Sequence, residues 1–143
     1  VLRQKGTLKE AVSFPAFDYC SVVKQDWESS DLRADLNNRF FFVIYQQDRQ
    51  GVPRLVRTQF WTPPTRDVEY HARECFERTV ELIKEDRADY LPRSSDNPMC
   101  HVRPHGRDSH DLVATPSGGL AVRKSFWLNQ SYISQQLAGS EDT

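Results

Sequence analysis

The residues of this chain that could bind a polar ligand are concentrated at positions 100–110, which read CHVRPHGRDSH. Arginine can donate two hydrogen bonds to guanine O6 and N7, and histidine and serine can reach base edges or phosphate oxygens. Proline and glycine favour a shaped loop at the end of a strand. An ordinary solvated loop has the same composition. Composition alone favours the solvated loop; if the loop binds nucleic acid, the candidate contacts are Arg103, Pro104, His105, Arg107 and Ser109.

The charges of the chain are balanced overall and uneven along it. Nineteen basic and 20 acidic residues give a net charge of −1, which counts against a uniformly basic nucleic-acid-binding domain. Residues 66–89 carry eight acids and five bases, whereas residues 101–124 carry four bases, two acids and three histidines. An anion site should therefore lie in the later segment, and Lys124 is a candidate phosphate contact there.

Other chemistries have weaker support. Zinc sites usually pair their ligands at tighter spacing than the cysteine and histidines of residues 100–110. His71 and Cys75 stand one helical turn apart, but they fit better as residues at the edge and in the core of a helix than as metal ligands. The Ser-His-Asp at 109–111 is contiguous, and adjacent residues rarely have the geometry of a catalytic triad. No phosphate-binding glycine loop is present. We predict neither a metal site nor a catalytic residue in this chain.

The composition is that of one globular domain. The 143 residues are 38% hydrophobic, and a chain of this length buries roughly two thirds of its unfolded surface. Three cysteines without CxxC spacing disfavour a disulfide framework and are typical of a reducing compartment, so we expect a cytoplasmic protein. No apolar run is long enough for a membrane span, and the first residues lack a signal-peptide pattern.

Hydrophobic periodicity predicts the elements that must position these residues. An unbroken aromatic and β-branched run at 40–45 predicts a central strand covered on both faces, joined by a turn to an alternating strand at 56–61. Apolar residues at helical spacing over 66–86 predict one long helix, with an N-cap offered by residues 62–65. We also expect strands at 11–14, 99–102, 112–115 and 120–126, and a helix at 131–137 capped by Asn129.

Five short motifs occur in order along most of the chain: KEAVSF at 9–14, WESS at 27–30, RFFFVI at 39–44, HVRPH at 101–105 and FWLN at 126–129. As an ordered set they resemble the family of MutH and the related GATC-cutting type II restriction endonucleases. The corresponding family features are the strand beyond the active site, the Trp-Glu-x-Ser turn, the next buried strand, the Arg-Pro DNA-reading loop and the aromatic pair before the last helix.

This resemblance implies an α+β, restriction-endonuclease-like (MutH-like) fold, with a mixed β-sheet flanked by helices and a DNA-reading role for residues 101–105. Arg103 and Pro104 match the family directly. His105 stands where the family has a lysine that reads the site, and Trp127 takes the place of a tyrosine near the adenine. The resemblance therefore adds Trp127 to the candidate DNA contacts and leaves the methylation preference open.

The family's nuclease centre is an Asp followed by Glu-x-Lys on adjacent strands, where the carboxylates hold magnesium and the lysine assists activation of water. In the family it lies just upstream of the strand that residues 10–14 resemble. The nearest imitations here, DWE at 26–28 and ELIK at 81–84, fall in a turn and on the helix. We expect residues 1–143 to be a single MutH-like domain that lacks the N-terminal part of the fold and binds no cofactor, whereas the full enzyme would use Mg²⁺.

The leading interpretation is sequence-specific binding of double-stranded DNA at GATC, as the effector or recognition domain of a type II restriction endonuclease. Its catalytic nuclease domain would lie elsewhere on the same polypeptide. The alternative is a partial catalytic domain of a MutH-like mismatch-repair nicking endonuclease. The near-neutral charge also permits a non-DNA interaction module, and the oligomeric state stays open.

Overall fold

The chain folds into small antiparallel sheets and a set of helices, which confirms an α+β class. The computed structural model describes residue 2 and residues 10–139. Within these residues the predicted single mixed sheet is replaced by separate sheets of two or three strands, and the MutH-like topology stays a prediction. The elements are β1 (Val12–Ser13), α1 (Tyr19–Val22), α2 (Asp31–Leu36), β2 (Phe40–Gln47), β3 (Pro53–Trp61), α3 (Thr65–Asp67), a π-helical turn (Val68–Ala72), α4 (Arg73–Lys84), β4 (Cys100–Pro104), β5 (Leu112–Ala114), β6 (Leu120–Val122), β7 (Lys124–Leu128) and α5 (Gln130–Gly139).

The three-stranded sheet, in the order β1-β7-β4, carries the segment predicted to bind DNA. β4 and β7 are antiparallel, with His101 opposite Trp127 and Arg103 opposite Ser125. Because neighbouring residues of a strand point to opposite faces, this register sorts the side chains into two sets. One set, including Val102, Phe126 and Leu128, joins the core. The other set forms what we call the outer sheet face: Ser13, His101, Arg103, Ser125 and Trp127.

The helix predicted at 66–86 is confirmed as a continuous segment through α3, the π-helical turn and α4. Its apolar stripe is buried, and the Phe76 ring packs against Phe126 of β7 with ring centroids 6.2 Å apart. The N-cap lies within residues 62–65 as predicted; it is Pro64, which makes no side-chain hydrogen bond. The π-helical turn leaves no trace in the hydrophobic periodicity, so the sequence did not predict it.

The strand at 40–45 is not central, which corrects the prediction that both of its faces are covered. Among the described strands, β2 pairs only with β3, in a two-stranded sheet, apart from a parallel bridge between Leu2 and Gln46. Ile44 faces the core, whereas Phe41 and Val43 are 56% and 44% exposed. Periodicity could not show this, because an apolar run looks the same whether its second face is covered by this chain or by something else.

The shorter elements follow the prediction except at two points. β1, β4, β5 and α5 lie close to their expected positions, but the single strand expected at 120–126 is two strands, β6 and β7, separated at Arg123. The helix α2 was not predicted, and Ser30 caps it by accepting a hydrogen bond from the Arg33 N–H. None of the helices in the described residues has both the length and the apolar composition to cross a bilayer.

Glu69, in the π-helical turn, joins three separate parts of the fold. Its carboxylate accepts hydrogen bonds from Trp27 Nε1 and Arg33 Nε, each at 2.8 Å. Trp27 is buried against Phe76, so the WESS motif has a structural role here. The hydrogen bond from Trp27, followed by that from Arg33, holds the pKa of Glu69 below its ordinary value.

We expect Glu69 to make the folded state sensitive to acid. A carboxylate whose pKa is lowered by folding stabilises the protein above the ordinary glutamate pKa, and this contribution is lost as the pH falls below it. Glu69→Gln should therefore lower the urea midpoint at about pH 7 and have a much smaller effect at about pH 3. Glu81→Gln, which removes a surface ion pair with Arg78, is the control. Equal losses at both pH values for Glu69→Gln would contradict this account.

Candidate nucleic-acid interface

An arginine and two imidazoles surround one indole on the outer sheet face. The guanidinium Cζ of Arg103 lies 3.7 Å from the centroid of the Trp127 ring, which is a close cation–π contact. The ring of His105 lies 5.4 Å from Trp127, and that of His101 lies 6.4 Å away and nearly parallel, with an interplanar angle of 19°. We call these four residues the Trp127 stack. The structure thus brings together three predicted site residues, Arg103, His105 and Trp127.

The exposure of the stack suits a binding surface. Arg103 and His105 are exposed and Trp127 is half-buried, so the guanidinium stays in contact with water while it lies over the indole. Within the described residues, Arg103 makes no hydrogen bond or ion pair to a protein acceptor, and its N–H groups are available to a ligand. Trp127 Nε1 and Ser125 Oγ are buried without a partner in this part of the chain. Each such group costs about 1–3 kcal/mol, a cost that natural proteins accept at functional faces more readily than in cores.

His101 and Asn129 anchor the inner end of the stack. His101 Nδ1 lies 2.6 Å from Asn129 Oδ1, and the Asn129 amide group donates to the carbonyl oxygens of Ser94 and Asn97. Since the amide N–H groups are used, Asn129 Oδ1 accepts and His101 Nδ1 carries the proton. Burial lowers the pKa of His101; the Asn129 bond opposes this effect and the charge of Arg103 adds to it. Asn129 directly precedes α5, where its carbonyl accepts from the Ile133 N–H, and its side chain positions a neutral His101.

The loop after β4 is held by the carboxylates of Asp108, which accepts from the His110 N–H at 2.8 Å, and of Asp111. Asp111 Oδ2 accepts from the Arg107 N–H and from Arg123 Nε, both at 3.3 Å. A Cβ on Gly106 would lie 2.5 Å from the same oxygen, so only glycine allows the chain to approach this closely. The side chains of Pro104, Arg107 and Ser109 are exposed along the loop. Within the described residues, the side chains of these three make no hydrogen bond or ring contact with the Trp127 stack.

Arg123 is a candidate that the sequence reading missed. Its backbone carbonyl accepts from the His105 N–H at 2.9 Å and its guanidinium pairs with Asp111, so it lies beside the loop. Its side chain is 42% exposed. The sequence signal for Arg123 is its place in the basic segment 101–124, next to Lys124.

Lys124 lies where its ammonium cannot serve as the predicted phosphate contact. The residue is 8% exposed, and its Nζ donates to the Tyr19 hydroxyl at 3.0 Å and to the Ala88 carbonyl at 2.8 Å. Burial lowers the pKa of Lys124, and the charge of Asp89 opposes that shift. The alternation that buries Phe126 also turns Lys124 inward. The sequence already indicated this, because Lys124 and Phe126 are two residues apart in the strand predicted at 120–126.

We expect Lys124→Ala to weaken the fold and leave DNA contacts alone. Losing two hydrogen bonds from a charged donor should lower the free energy of unfolding by roughly 1.5–3 kcal/mol, measured in urea. The salt dependence of duplex binding should match that of the parent chain, followed by fluorescence anisotropy at several salt concentrations. A slope flatter by about one charge would restore Lys124 as a phosphate contact.

The carboxylates considered as metal ligands are engaged elsewhere. Asp26 accepts from the Ser29 amide and hydroxyl, Glu28 faces Arg73, and Glu81 pairs with Arg78. These residues therefore do not fit a magnesium centre. No group of three or more His, Cys, Asp or Glu in the described ranges is close enough to hold a metal ion. The absence of catalytic residues in this chain stays a prediction.

Comparison with known proteins shows what this chain is similar to. No protein-family model matches the chain. The chain is similar to the type II restriction enzyme Sau3AI of Staphylococcus aureus. The two are 25% identical over 176 residues, which cover 94% of this chain and 36% of Sau3AI. The chain thus spans just over a third of this relative. The likeness supports a relationship to restriction endonucleases, while the MutH family and the effector copy stay predictions.

Proposed function

We propose that this chain is the DNA-recognition unit of a type II restriction endonuclease and binds double-stranded DNA at GATC as an effector domain. The observation that carries the proposal is the Trp127 stack, which presents an exposed Arg103 guanidinium that has no hydrogen-bond acceptor among the described residues. The similarity to Sau3AI over 94% of the chain supports the same reading.

The geometry favours reading of a base edge by Arg103. A guanidinium can donate two parallel hydrogen bonds to guanine O6 and N7, the commonest specific contact in the major groove. The indole limits the positions open to Arg103 before DNA arrives, so less conformational entropy is lost on binding. In this proposal His105 and Arg107, which are exposed on the loop that follows, contact neighbouring base edges or phosphates, and Arg123 lies beside that loop.

Catalysis belongs, in this proposal, to another domain of the same polypeptide. The length of Sau3AI outside the aligned region leaves room for such a domain. Its carboxylates would hold Mg²⁺, which polarises the phosphate and activates water in enzymes of this kind. The chain described here would contribute recognition, and its own carboxylates take no part in the reaction.

The central test is Arg103→Ala in a binding assay with labelled duplexes. Loss of a base-edge contact should weaken binding to a GATC duplex by roughly 1–3 kcal/mol and barely change binding to a scrambled duplex. His105→Ala should act in the same direction and less strongly. Arg78→Ala, an exposed arginine on α4 paired with Glu81, is the matched control and should change neither affinity. Equal losses of affinity for both duplexes would show that Arg103 contacts the DNA phosphate backbone and not a base. No loss of affinity for either duplex would refute the proposed function.

A second prediction concerns the indole beneath Arg103. Trp127→Leu removes the cation–π contact, worth about 0.5–1 kcal/mol at an exposed site, so GATC affinity should fall by a similar amount. In the Arg103→Ala background the same substitution should have almost no effect, because the group that it positions is gone. A double-mutant cycle measured by anisotropy checks this coupling. Fully additive losses would show that Trp127 acts independently of Arg103.

A further inference from the structure

One side of the β2–β3 hairpin is an apolar surface that the described chain leaves uncovered. Cross-strand pairing places Phe41 opposite Phe60 and Tyr45 opposite Leu55. The Phe41 and Phe60 rings are in contact, with centroids 5.0 Å apart, and the two residues are 56% and 60% exposed. We call this surface the outer hairpin face; its apolar members, 39–60% exposed, are Phe41, Val43, Tyr45, Leu55, Val56 and Phe60.

The opposite side of the hairpin already belongs to the core. Phe40 and Phe42 stack on each other and contact Trp61, whose indole also meets Tyr132 of α5. The ribbon is therefore apolar on both sides and covered on one. A two-stranded ribbon gains little stability alone, so strands of this composition usually lie between two layers.

The outer hairpin face is large for a surface that stays in water. Its three aromatic side chains have about 200 Å² each and expose about half of it, giving about 300 Å². The aliphatic members bring the patch toward the upper end of the roughly 300–600 Å² found for the largest patch of a typical monomer. Patches of this size, when bordered by polar groups, are characteristic of interaction sites.

The border of this face is cationic. Arg39, Arg49 and Arg54 are exposed around it, and the Arg39 guanidinium lies 4.4 Å from the centroid of the Phe60 ring. The one acid of residues 39–61 is Asp48, which accepts from Arg54 and from turn amides. A matching surface must therefore be apolar in the middle and carry carboxylates at its edge.

A second copy of the chain does not meet this requirement. Arg39 lies at the base of the hairpin, and Arg49 and Arg54 lie near its tip. If two copies met through this face in an antiparallel arrangement, the base of one would oppose the tip of the other; in a parallel arrangement Arg39 would oppose Arg39. Both arrangements bring like charges together, which is costly at an interface.

We propose that the outer hairpin face docks onto a further folded part of the same polypeptide, through an apolar surface edged by Asp and Glu. This inference rests on the proposed function, in which the chain is one unit of a longer enzyme. The length of the relative supports it, because 64% of Sau3AI, the remainder after the 36% aligned, lies outside the matched region. The docked part covers the second face that the apolar composition of β2 and β3 demands.

Thiol labelling of the full-length gene product that contains this chain tests the proposal. In a Cys20→Ser background, Val43→Cys and Leu55→Cys introduce one reporter each, and Leu120→Cys, at a residue 67% exposed on β6, is the control. Without DNA, the two hairpin reporters should react with maleimide about tenfold or more slowly than the control, because labelling requires opening of the docked surface. Arg39→Glu with Arg54→Glu should restore their reactivity, since the substituted residues oppose carboxylates.

Several outcomes would overturn the proposal. Labelling of all three reporters at the same rate would show that the hairpin face is open, and protection that appears only with a duplex would show that DNA covers it. Protection that depends on protein concentration and accompanies dimers in sedimentation would show that a second copy covers it. A gene product no longer than this chain would leave no further part of the polypeptide to dock. Failure of the proposed DNA-binding function can be distinguished from failure of the docking proposal. If Arg103→Ala leaves both duplex affinities unchanged while the hairpin reporters stay protected without DNA, docking stands and the DNA-reading role does not.

Discussion

The antiparallel register between β4 and β7 decides which residues this protein can offer to a ligand. It sets His101 opposite Trp127 and Arg103 opposite Ser125, with all four on the outer sheet face. A shift of one residue would exchange the faces, so that Arg103 would enter the core and Val102 would meet solvent. Burying an apolar side chain such as Phe126 or Leu128 is worth about 1.5–3 kcal/mol, so the core side of the sheet holds the register. Presentation of the arginine is therefore a consequence of packing on the opposite face.

The segment that precedes β4 is held in place by side-chain amides and not by a helix or strand. Asn97 donates to the His71 carbonyl and accepts from the amides of Met99 and Cys100, while Asn129 binds the carbonyls of Ser94 and Asn97. The segment before the strand contains prolines at 92 and 98, which cannot donate backbone hydrogen bonds. The two asparagines supply the missing constraints and tie the strand to the helical segment and to α5. A polar network of this kind specifies one arrangement because every lost bond would leave a buried polar atom unpaired.

Local patterns in the sequence predicted the local features of the fold, and their limits explain the errors. The apolar spacing over 66–86 identified the long helix, because its periodicity is created by one buried stripe. The apolar run at 40–45 predicted a strand but not whether both of its faces are covered, because composition does not show what packs against a face. Arg103, His105 and Trp127 were predicted together, whereas Arg123 was missed and Lys124 was misplaced. Those last two positions are adjacent. Lys124 faces inward through the alternation along β7, whereas Arg123 lies between β6 and β7, and counting charges cannot distinguish these two situations.

The two proposed surfaces are joined by contiguous packing. Ser13 of β1 pairs with Trp127, and the next residue, Phe14, meets the Phe40 ring edge-on, with centroids 6.3 Å apart, beside Phe41 on the outer hairpin face. Contact of this kind does not by itself couple two sites, because coupling requires an element with two arrangements that both ligands bias. The proposed effector role would require such an element, and linkage would make its effect reciprocal. DNA at the Trp127 stack would change the strength of hairpin docking by the same factor by which docking changes the affinity for DNA. The segment that would carry such a change is β1 with the residue after it, because Ser13 lies on the outer sheet face and Phe14 contacts the hairpin.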